Sequence, residues 1–463
     1  MKILRFVLVV AFVLVATGMM PGTVSAQKFP SYTAGINVQN LSGSTGSITI
    51  EFFAMSTTTG TGGASVATVP DTIAGFGVKN YFPLTAVATG FQGSVVVSSS
   101  TPIAAVTNVS NADLSSLGAY NGASAGSTSV SLPILHKGNS GFDSWYSIQN
   151  AGGSVANVSI DYTSTGPGVD KTVQIAPSAS VNINQATENH GTARLFAGTI
   201  TSTNGQPLVV VALQENASNI MAYTGFASGS KMPVMPTINM NNSGYFTGTQ
   251  IYNLGGTATN VTVTYTAGQF GTNCTETKAV PAGSMVVFTT SAFMSDSAGE
   301  TCVAGQRFLG SARVTANSTN QDLAVVVNQL RAPTNVNGSS YNGFDPNSAG
   351  SSVFMPTIFD RNSGWYTAFN VMNVGNTTAY VKCTYANSSA VSTTGSAGLA
   401  PGASVTISQL NAISDRYVGS ALCQTYTNNS HTTVDPNGKI LTVVNELGPG
   451  APDNLLSYEG INP

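Results

Sequence analysis

The sequence predicts an all-β chain of four tandem β-sandwich domains, and three observations support this prediction. One theme of roughly 110 residues recurs four times along the 463-residue chain. Each copy holds segments in which apolar and polar residues alternate with a period of two, as half-buried strands require. No segment after residue 26 keeps the 3.6-residue period of an amphipathic helix.

The first 26 residues form a separate segment. Lys2 and Arg5 precede an apolar run over 6–16, and Val24-Ser25-Ala26 has the small-x-small pattern of a cleavage site. We therefore expect a secretory signal peptide over 1–26 and a mature chain that begins at Gln27. The alternative is a membrane anchor, although the apolar run is short for a spanning helix.

The repeat opens on an alternating strand that ends in Asn, most often before a turn with Gly. A second alternating strand follows, with one face apolar and the other rich in Ser and Thr. The closing Asn residues are Asn40, Asn150, Asn253 and Asn373, and the second strands cover 48–52, 158–162, 261–265 and 381–385.

The later elements of the repeat are a turn into a third strand, an aromatic-x-Gly-Ser start to a fourth, an almost wholly apolar strand, and a closing Tyr-x-Gly. The apolar strand is predicted to be central and covered on both faces. Its copies cover 103–106, 208–211, 323–327 and 440–444, and the closing tyrosines are Tyr120, Tyr223, Tyr341 and Tyr458.

Several short strands in units of this size are typical of immunoglobulin-like (Ig-like) sandwiches, each able to bury its own core. Short linkers between them predict a rod-like array. The predicted segments are a signal peptide at 1–26 and Ig-like repeats at 27–127, 128–229, 230–349 and 350–463.

Copies two to four begin with an extra element that contains a proline, followed by Asn-Ser-Gly-aromatic. These elements are Leu132-Pro133-Ile134, Met235-Pro236-Thr237-Ile238 and Met355-Pro356-Thr357-Ile358. Copy one has room only for a stub at Phe29-Pro30, so its first strand is predicted to be truncated. Either this domain does without the strand, or its open edge pairs with another chain.

Four cysteines in a secreted chain predict two disulfides, and pairing within a repeat is favoured. This gives Cys274 with Cys302 and Cys383 with Cys423. The repeat alignment supports the second pair, since Cys383 takes the place of Ile50, Ile160 and Val263, and Cys423 that of Val97 and Val314.

The sequence carries little that predicts catalysis. The three histidines, His136, His190 and His431, occupy no repeated position and have no metal-ligand spacing. Gly122-Ala123-Ser124-Ala125-Gly126 matches a nucleophile elbow but lies in a linker rather than between strand and helix. We expect no enzyme activity, no metal and no cofactor.

Charge is scarce, with 16 Lys+Arg and 19 Asp+Glu in the whole chain. A nucleic-acid binder needs clustered cations to neutralise phosphates, so this composition argues against nucleic acid as a partner. No apolar run in the mature chain is long enough to span a membrane. Trp145 and Trp365 are candidate ligand-contact aromatics, although their places in the repeat favour packing.

Asn-Ser-Gly-aromatic, the strand ending in Asn-x-Gly, Pro-Gly-Ala-Ser-Val and aromatic-x-Gly-Ser together resemble poorly characterised Ig-like or fibronectin-III-like tandem repeats of bacterial secreted surface proteins. The resemblance covers essentially the whole mature chain and implies location and architecture. It implies no catalytic or binding residue.

The predicted function is a secreted, non-catalytic structural protein that self-associates into a surface layer, sheath or filament. Strand faces of Ser, Thr and Asn can be buried between subunits with little charge desolvation. The alternative is a cell-surface adhesin or carbohydrate-binding protein that uses sandwich loops to contact cell-wall or surface glycans.

Overall fold

The computed structural model describes the backbone of residues 6–12 and residues 28–29, 31–166, 168–290, 300–318, 321–331, 337–449 and 453–463. The chain divides into two compact units, Met1–Ser228 and Gly229–Pro463. Each unit holds two repeats of eight strands. The predicted boundaries after residues 127 and 349 fall inside these units.

The first unit contains strands β1 to β16. Repeat one has β1 (Phe6–Phe12), β2 (Tyr32–Asn40), β3 (Gly46–Ala54), β4 (Ser65–Ile73), β5 (Val78–Tyr81), β6 (Gly93–Ser99), β7 (Ile103–Asn111) and β8 (Leu117–Asn121). Repeat two has β9 (Ser129–His136), β10 (Asp143–Asn150), β11 (Ala156–Tyr162), β12 (Lys171–Ile175), β13 (Ser180–Asn184), β14 (Leu195–Ser202), β15 (Leu208–Glu215) and β16 (Ile220–Thr224).

The second unit contains strands β17 to β32 and a 3₁₀ helix, Pro346–Ser348. Repeat three has β17 (Val234–Met240), β18 (Tyr245–Asn253), β19 (Thr259–Phe270), β20 (Cys274–Val280), β21 (Met285–Thr289), β22 (Phe308–Ala316), β23 (Leu323–Arg331) and β24 (Gly338–Asn342). Repeat four has β25 (Ser352–Asp360), β26 (Tyr366–Asn373), β27 (Tyr380–Tyr385), β28 (Val391–Thr393), β29 (Ser404–Ser408), β30 (Tyr417–Tyr426), β31 (Ile440–Leu447) and β32 (Leu455–Glu459).

Every repeat folds into two four-stranded antiparallel sheets with the same connectivity. Counting the strands of a repeat from one to eight, one sheet has the order 1-6-3-4 and the other 5-2-7-8. The all-β class and the four-fold repetition are therefore confirmed. The Ig-like assignment, the rod-like array and the cleaved signal peptide stay predictions.

The core of repeat one lies between its two sheets, because both sheets contribute fully buried side chains to one apolar cluster. Ile36 and Val38 come from β2, and Ile50 and Val97 from the opposite sheet. The predicted central position of the most apolar strand is confirmed: all eight residues of β15 are buried, and the strand lies between β10 and β16.

The repeated asparagine closes the turn after the second strand of each repeat. Asn253 Nδ2 donates to the carbonyls of Thr257 at 2.8 Å and Val280 at 3.4 Å, and its Oδ1 accepts from the Gly255 backbone N–H at 2.9 Å. Asn40, Asn150 and Asn373 make the same three kinds of contact. The most regular motif of the sequence is therefore structural.

The Asn-Ser-Gly-aromatic motif forms a two-residue hairpin turn. In repeat three Asn242 and Tyr245 are paired, and Ser243 and Gly244 between them have φ values of 53° and 84°. Two successive positive φ values define the type I′ turn that matches strand twist, and glycine adopts one of them without strain. The same turn recurs at 139–142 and 362–365.

In repeats two to four the closing tyrosine hydrogen-bonds to the proline-containing opening strand. In repeat three the pairing of β17 with β22 shifts between Met235 and Ile238, which places Pro236 and Thr237 in a bulge. The buried Tyr341 hydroxyl donates to the Thr237 carbonyl at 2.6 Å. Tyr223 donates likewise to Ile134, and Tyr458 to Thr357.

We expect Tyr341→Phe to lower the free energy of unfolding by about 1–3 kcal/mol, because the buried Thr237 carbonyl loses a hydrogen bond that water cannot replace. Urea unfolding monitored by circular dichroism measures this change. Tyr380→Phe is the control, since the Tyr380 hydroxyl makes no hydrogen bond among the described residues. A Tyr341→Phe variant as stable as the control would contradict the prediction.

The two repeats of a unit share apolar packing. In the first unit Tyr32 and Val109 of repeat one pack in the same cluster as Trp145 and Leu213 of repeat two. In the second unit a cluster joins Val234 and Phe344 of repeat three to Met372 and Leu441 of repeat four. The sequence predicted that each repeat buries its own core. It did not predict that the two repeats of a unit share apolar packing.

Candidate functional site

The opening-strand position of repeat one is occupied by residues of the predicted signal peptide. β1 pairs with β6 in an antiparallel register that sets Val9 opposite Val96. The sequence predicted a stub at Phe29 here. Phe29 instead lies in the core, with its ring edge-on to Tyr32 at 6.1 Å between centroids.

This edge differs from its three counterparts. β9, β17 and β25 each contain a proline, and their pairing with the neighbouring strand is broken by a bulge. Both features discourage another strand from pairing with a sheet edge. β6 has the sequence Gly-Ser-Val-Val-Val-Ser-Ser, with no charge, no proline and no register shift toward β1.

The position that β1 occupies beside β6 is a groove, because other strands also border it. β1 lies against β7 of its own repeat and also against β10 and β15 of repeat two. Val95 and Val97 of β6 point into the core and are fully buried. A single extended strand with apolar residues at alternate positions fits this geometry.

A buried carboxyl group lies where the two repeats of the first unit meet. Glu215 Oε2 accepts from the Tyr32 hydroxyl at 2.7 Å and the Lys28 backbone N–H at 3.3 Å, and Oε1 accepts from Trp145 Nε1 at 2.8 Å. Burial raises the pKa of Glu215 to about 7. Lys28 Nζ pairs with Asp143 at 2.5 Å.

The second unit contains a polar cleft of about 390 Å³ where repeats three and four meet. In repeat three the wall comes from β17, β23, the type I′ turn and the first residue of β18, and in repeat four it comes mainly from β26, β29 and β31. Uncharged polar and aromatic side chains dominate the lining, with Arg331 as its one cation among the described residues. The lining includes Asn239, Tyr245, Gln329, Tyr366, Asn370 and Asn445.

Hydrogen bonds between amides hold the floor of the cleft in place. Asn239 Nδ2 donates to Gln329 Oε1 at 3.0 Å, and Gln329 Nε2 donates across to Asn445 Oδ1 of repeat four at 3.0 Å. The Arg331 guanidinium lies 5.8 Å from the centre of the Tyr245 ring. Burial raises the pKa of Tyr245, so its hydroxyl is neutral in the physiological range.

The structure separates the two tryptophans that the sequence singled out. Trp145 is buried in the core of the first unit. Trp365 is half-buried and packs on Gly448, where an added Cβ would lie 2.4 Å from the ring. Sequence reasoning missed Tyr245, Tyr366 and Arg331; the aromatic position after Asn-Ser-Gly was the available signal for Tyr245.

The four cysteines form two disulfides within repeats, Cys274–Cys302 and Cys383–Cys423. Cys383 and Cys423 are directly opposite on neighbouring strands, as Ile50 and Val97 are in repeat one.

Two features are absent from the described residues. No group of three or more His, Cys, Asp or Glu side chains there is arranged to hold a metal ion. The described part of the chain also contains no helix that is long and apolar enough to cross a membrane.

Comparison with known proteins gives one weak likeness. No family model and no curated protein matches this chain. A solved structure, described as the crystal structure of a tetra-tandem repeat in the extending region of a large adhesion protein, aligns over 95% of this chain and 97% of its own. The sequences are 12% identical and the TM-score is 0.11, a value that supports no structural conclusion.

Proposed function

We propose that this chain is a non-catalytic extracellular structural protein whose mature form accepts a strand from another subunit along β6, building a surface layer, sheath or filament. The observation that carries the proposal is the pairing of β6 with β1, a strand that lies entirely within the predicted signal peptide. Removal of residues 1–26 leaves the unprotected edge of β6 without a partner.

The energetics favour refilling of this position. Val95 and Val97 are fully buried in the chain with β1 in place. Exposing a buried valine side chain costs about 1.5–3 kcal/mol, and the unpaired backbone groups of β6 add to that cost where water cannot reach them. A strand from a neighbouring subunit removes both costs, as in other cases of strand addition.

Two further features support an extracellular assembly. The chain holds two disulfides, which persist in oxidising compartments. Its outward strand faces carry few charges, so burying them between subunits requires little desolvation of ions.

The test compares residues 27–463 with the chain that keeps residues 1–26. We expect the shorter chain to form oligomers or filaments, seen by light scattering and electron microscopy, and the longer chain to stay monomeric. A synthetic peptide of residues 6–12, flanked by lysines for solubility, should bind the shorter chain and block assembly. The same peptide with Val9→Pro is the control, because proline removes a ladder hydrogen bond.

A matched pair of variants locates the contact. Val96→Lys places a charge on β6 and should suppress assembly. Val66→Lys, on β4 at the opposite edge of the same sheet, should leave assembly intact. A shorter chain that stays monodisperse at high concentration, and is found unassembled on cells, would overturn the proposal.

A further inference from the structure

The junction between repeats is packed in the first unit and open in the second. The two junctions can be compared because the repeats align residue by residue. Counting back from the repeated asparagine, Tyr245 of repeat three corresponds to Tyr32 of repeat one, and Ala368 of repeat four to Trp145 of repeat two. In the first unit Trp145 lies edge-on to Tyr32, with 6.0 Å between ring centroids. In the second unit an alanine takes the place of that indole.

The replacements around this position are polar as well as small. Gln329 stands where repeat one has Val109, and Asn445 where repeat two has Leu213. Val109, Leu213 and Trp145 belong to one buried apolar cluster in the first unit. The second unit therefore has an open cleft lined by amides at the place where the first unit has packed core.

We propose that this cleft binds a glycan, with a sugar ring seated beside Tyr245 in the space that Trp145 fills in the first unit. The volume of about 390 Å³ lies within the range of small-ligand sites. An aromatic face offers an apolar platform to the C–H side of a sugar ring. Amides offer both donors and acceptors, which is what a hydroxyl-rich ligand requires.

The cleft is built in advance of binding. The amide chain through Asn239, Gln329 and Asn445 fixes the floor, and Asn370 Nδ2 donates to Thr406 Oγ1 at 3.0 Å on the opposite wall. Preorganised polar groups reduce the entropy that binding must lose. The scarcity of charge in the lining favours a neutral glycan over a strongly acidic one.

The decisive variant is Ala368→Trp, which gives the second unit the residue of the first and fills the cleft. Binding is measured first on a glycan array and then by calorimetry with the strongest neutral oligosaccharide, with chitopentaose and cellopentaose as defined probes. We expect Ala368→Trp to weaken binding at least tenfold while the circular dichroism spectrum stays unchanged. Tyr245→Ala should weaken binding to a similar degree, and Tyr380→Phe, in the same unit but outside the cleft lining, should not.

Three results would overturn the proposal: no glycan binds the full chain, binding is unaffected by Ala368→Trp, or the cleft binds aromatic peptides rather than sugars. Filling the cleft and blocking β6 are independent operations, because they act in different units. Failure of glycan binding would leave the proposed assembly function standing, and failure of assembly would leave the glycan site standing.

Discussion

Removing the Cys383–Cys423 disulfide is expected to lower the melting temperature of the second unit by on the order of 10 °C. The crosslink closes a segment with a sequence separation of 40 residues. The chain-entropy model assigns such a loop about 4 kcal/mol of stabilisation. In a unit of this size, each kcal/mol of lost stability lowers the melting temperature by roughly 2–4 °C.

The aligned repeats provide the control for this experiment. At the position of the disulfide the other repeats have apolar pairs, Ile50–Val97, Ile160–Ile200 and Val263–Val314. The double variant Cys383→Val/Cys423→Val therefore removes the crosslink and keeps apolar contact, whereas the double alanine variant also leaves a cavity and should lose about 2 kcal/mol more. A double valine variant with the same melting temperature as the wild type would show that the crosslink adds no stability.

Replacing Glu215 by glutamine is expected to remove about 3 kcal/mol of pH dependence from the first unit between pH 5 and pH 8. Burial raises the pKa of this carboxyl from 4.5 to about 7. Between those values the unfolded chain has released the proton and the folded chain retains it. The free energy of unfolding therefore falls as pH rises through this window.

The measurement is the difference between wild type and Glu215→Gln in urea unfolding at several pH values. The difference is required because two histidines contribute a pH dependence of the opposite sign. Burial lowers the pKa of His136 and of His190 from 6.5 to about 4. Their contribution to the stability of the folded protein is therefore lost as pH falls. Tyr32→Phe removes a donor to Glu215 and should steepen the dependence. Parallel pH profiles for wild type and Glu215→Gln would contradict the raised pKa.

Local pattern was enough to predict the strands, their turns and the register of one cysteine pair. Alternation with a period of two reports which face of a strand is buried, and the four copies supply independent readings of the same pattern. Cys383 could be placed opposite Cys423 because both replace apolar residues at aligned positions. The buried amide of Asn253 likewise acts on residues close to it in the chain or in the adjoining turn.

The candidate sites could not be predicted in the same way. The bond between Tyr341 and Thr237 joins residues 104 apart, although both motifs were visible in the sequence. Whether the edge of β6 is paired depends on which segment of the chain occupies the opening-strand position beside it. The cleft depends on which two repeats meet.

The sequence by itself determined an all-β chain of four similar repeats with turns closed by asparagine, because strand periodicity and turn chemistry act over a few residues. Only the tertiary structure decided that repeats one and two share a core and that repeats three and four enclose a polar cleft. The contact from Gln329 to Asn445 spans 116 residues and has no periodic signature. Such contacts depend on how whole faces of two repeats pack together. The sequence alone therefore does not show that Ala368 leaves a cleft, because it does not show which residues lie opposite Ala368.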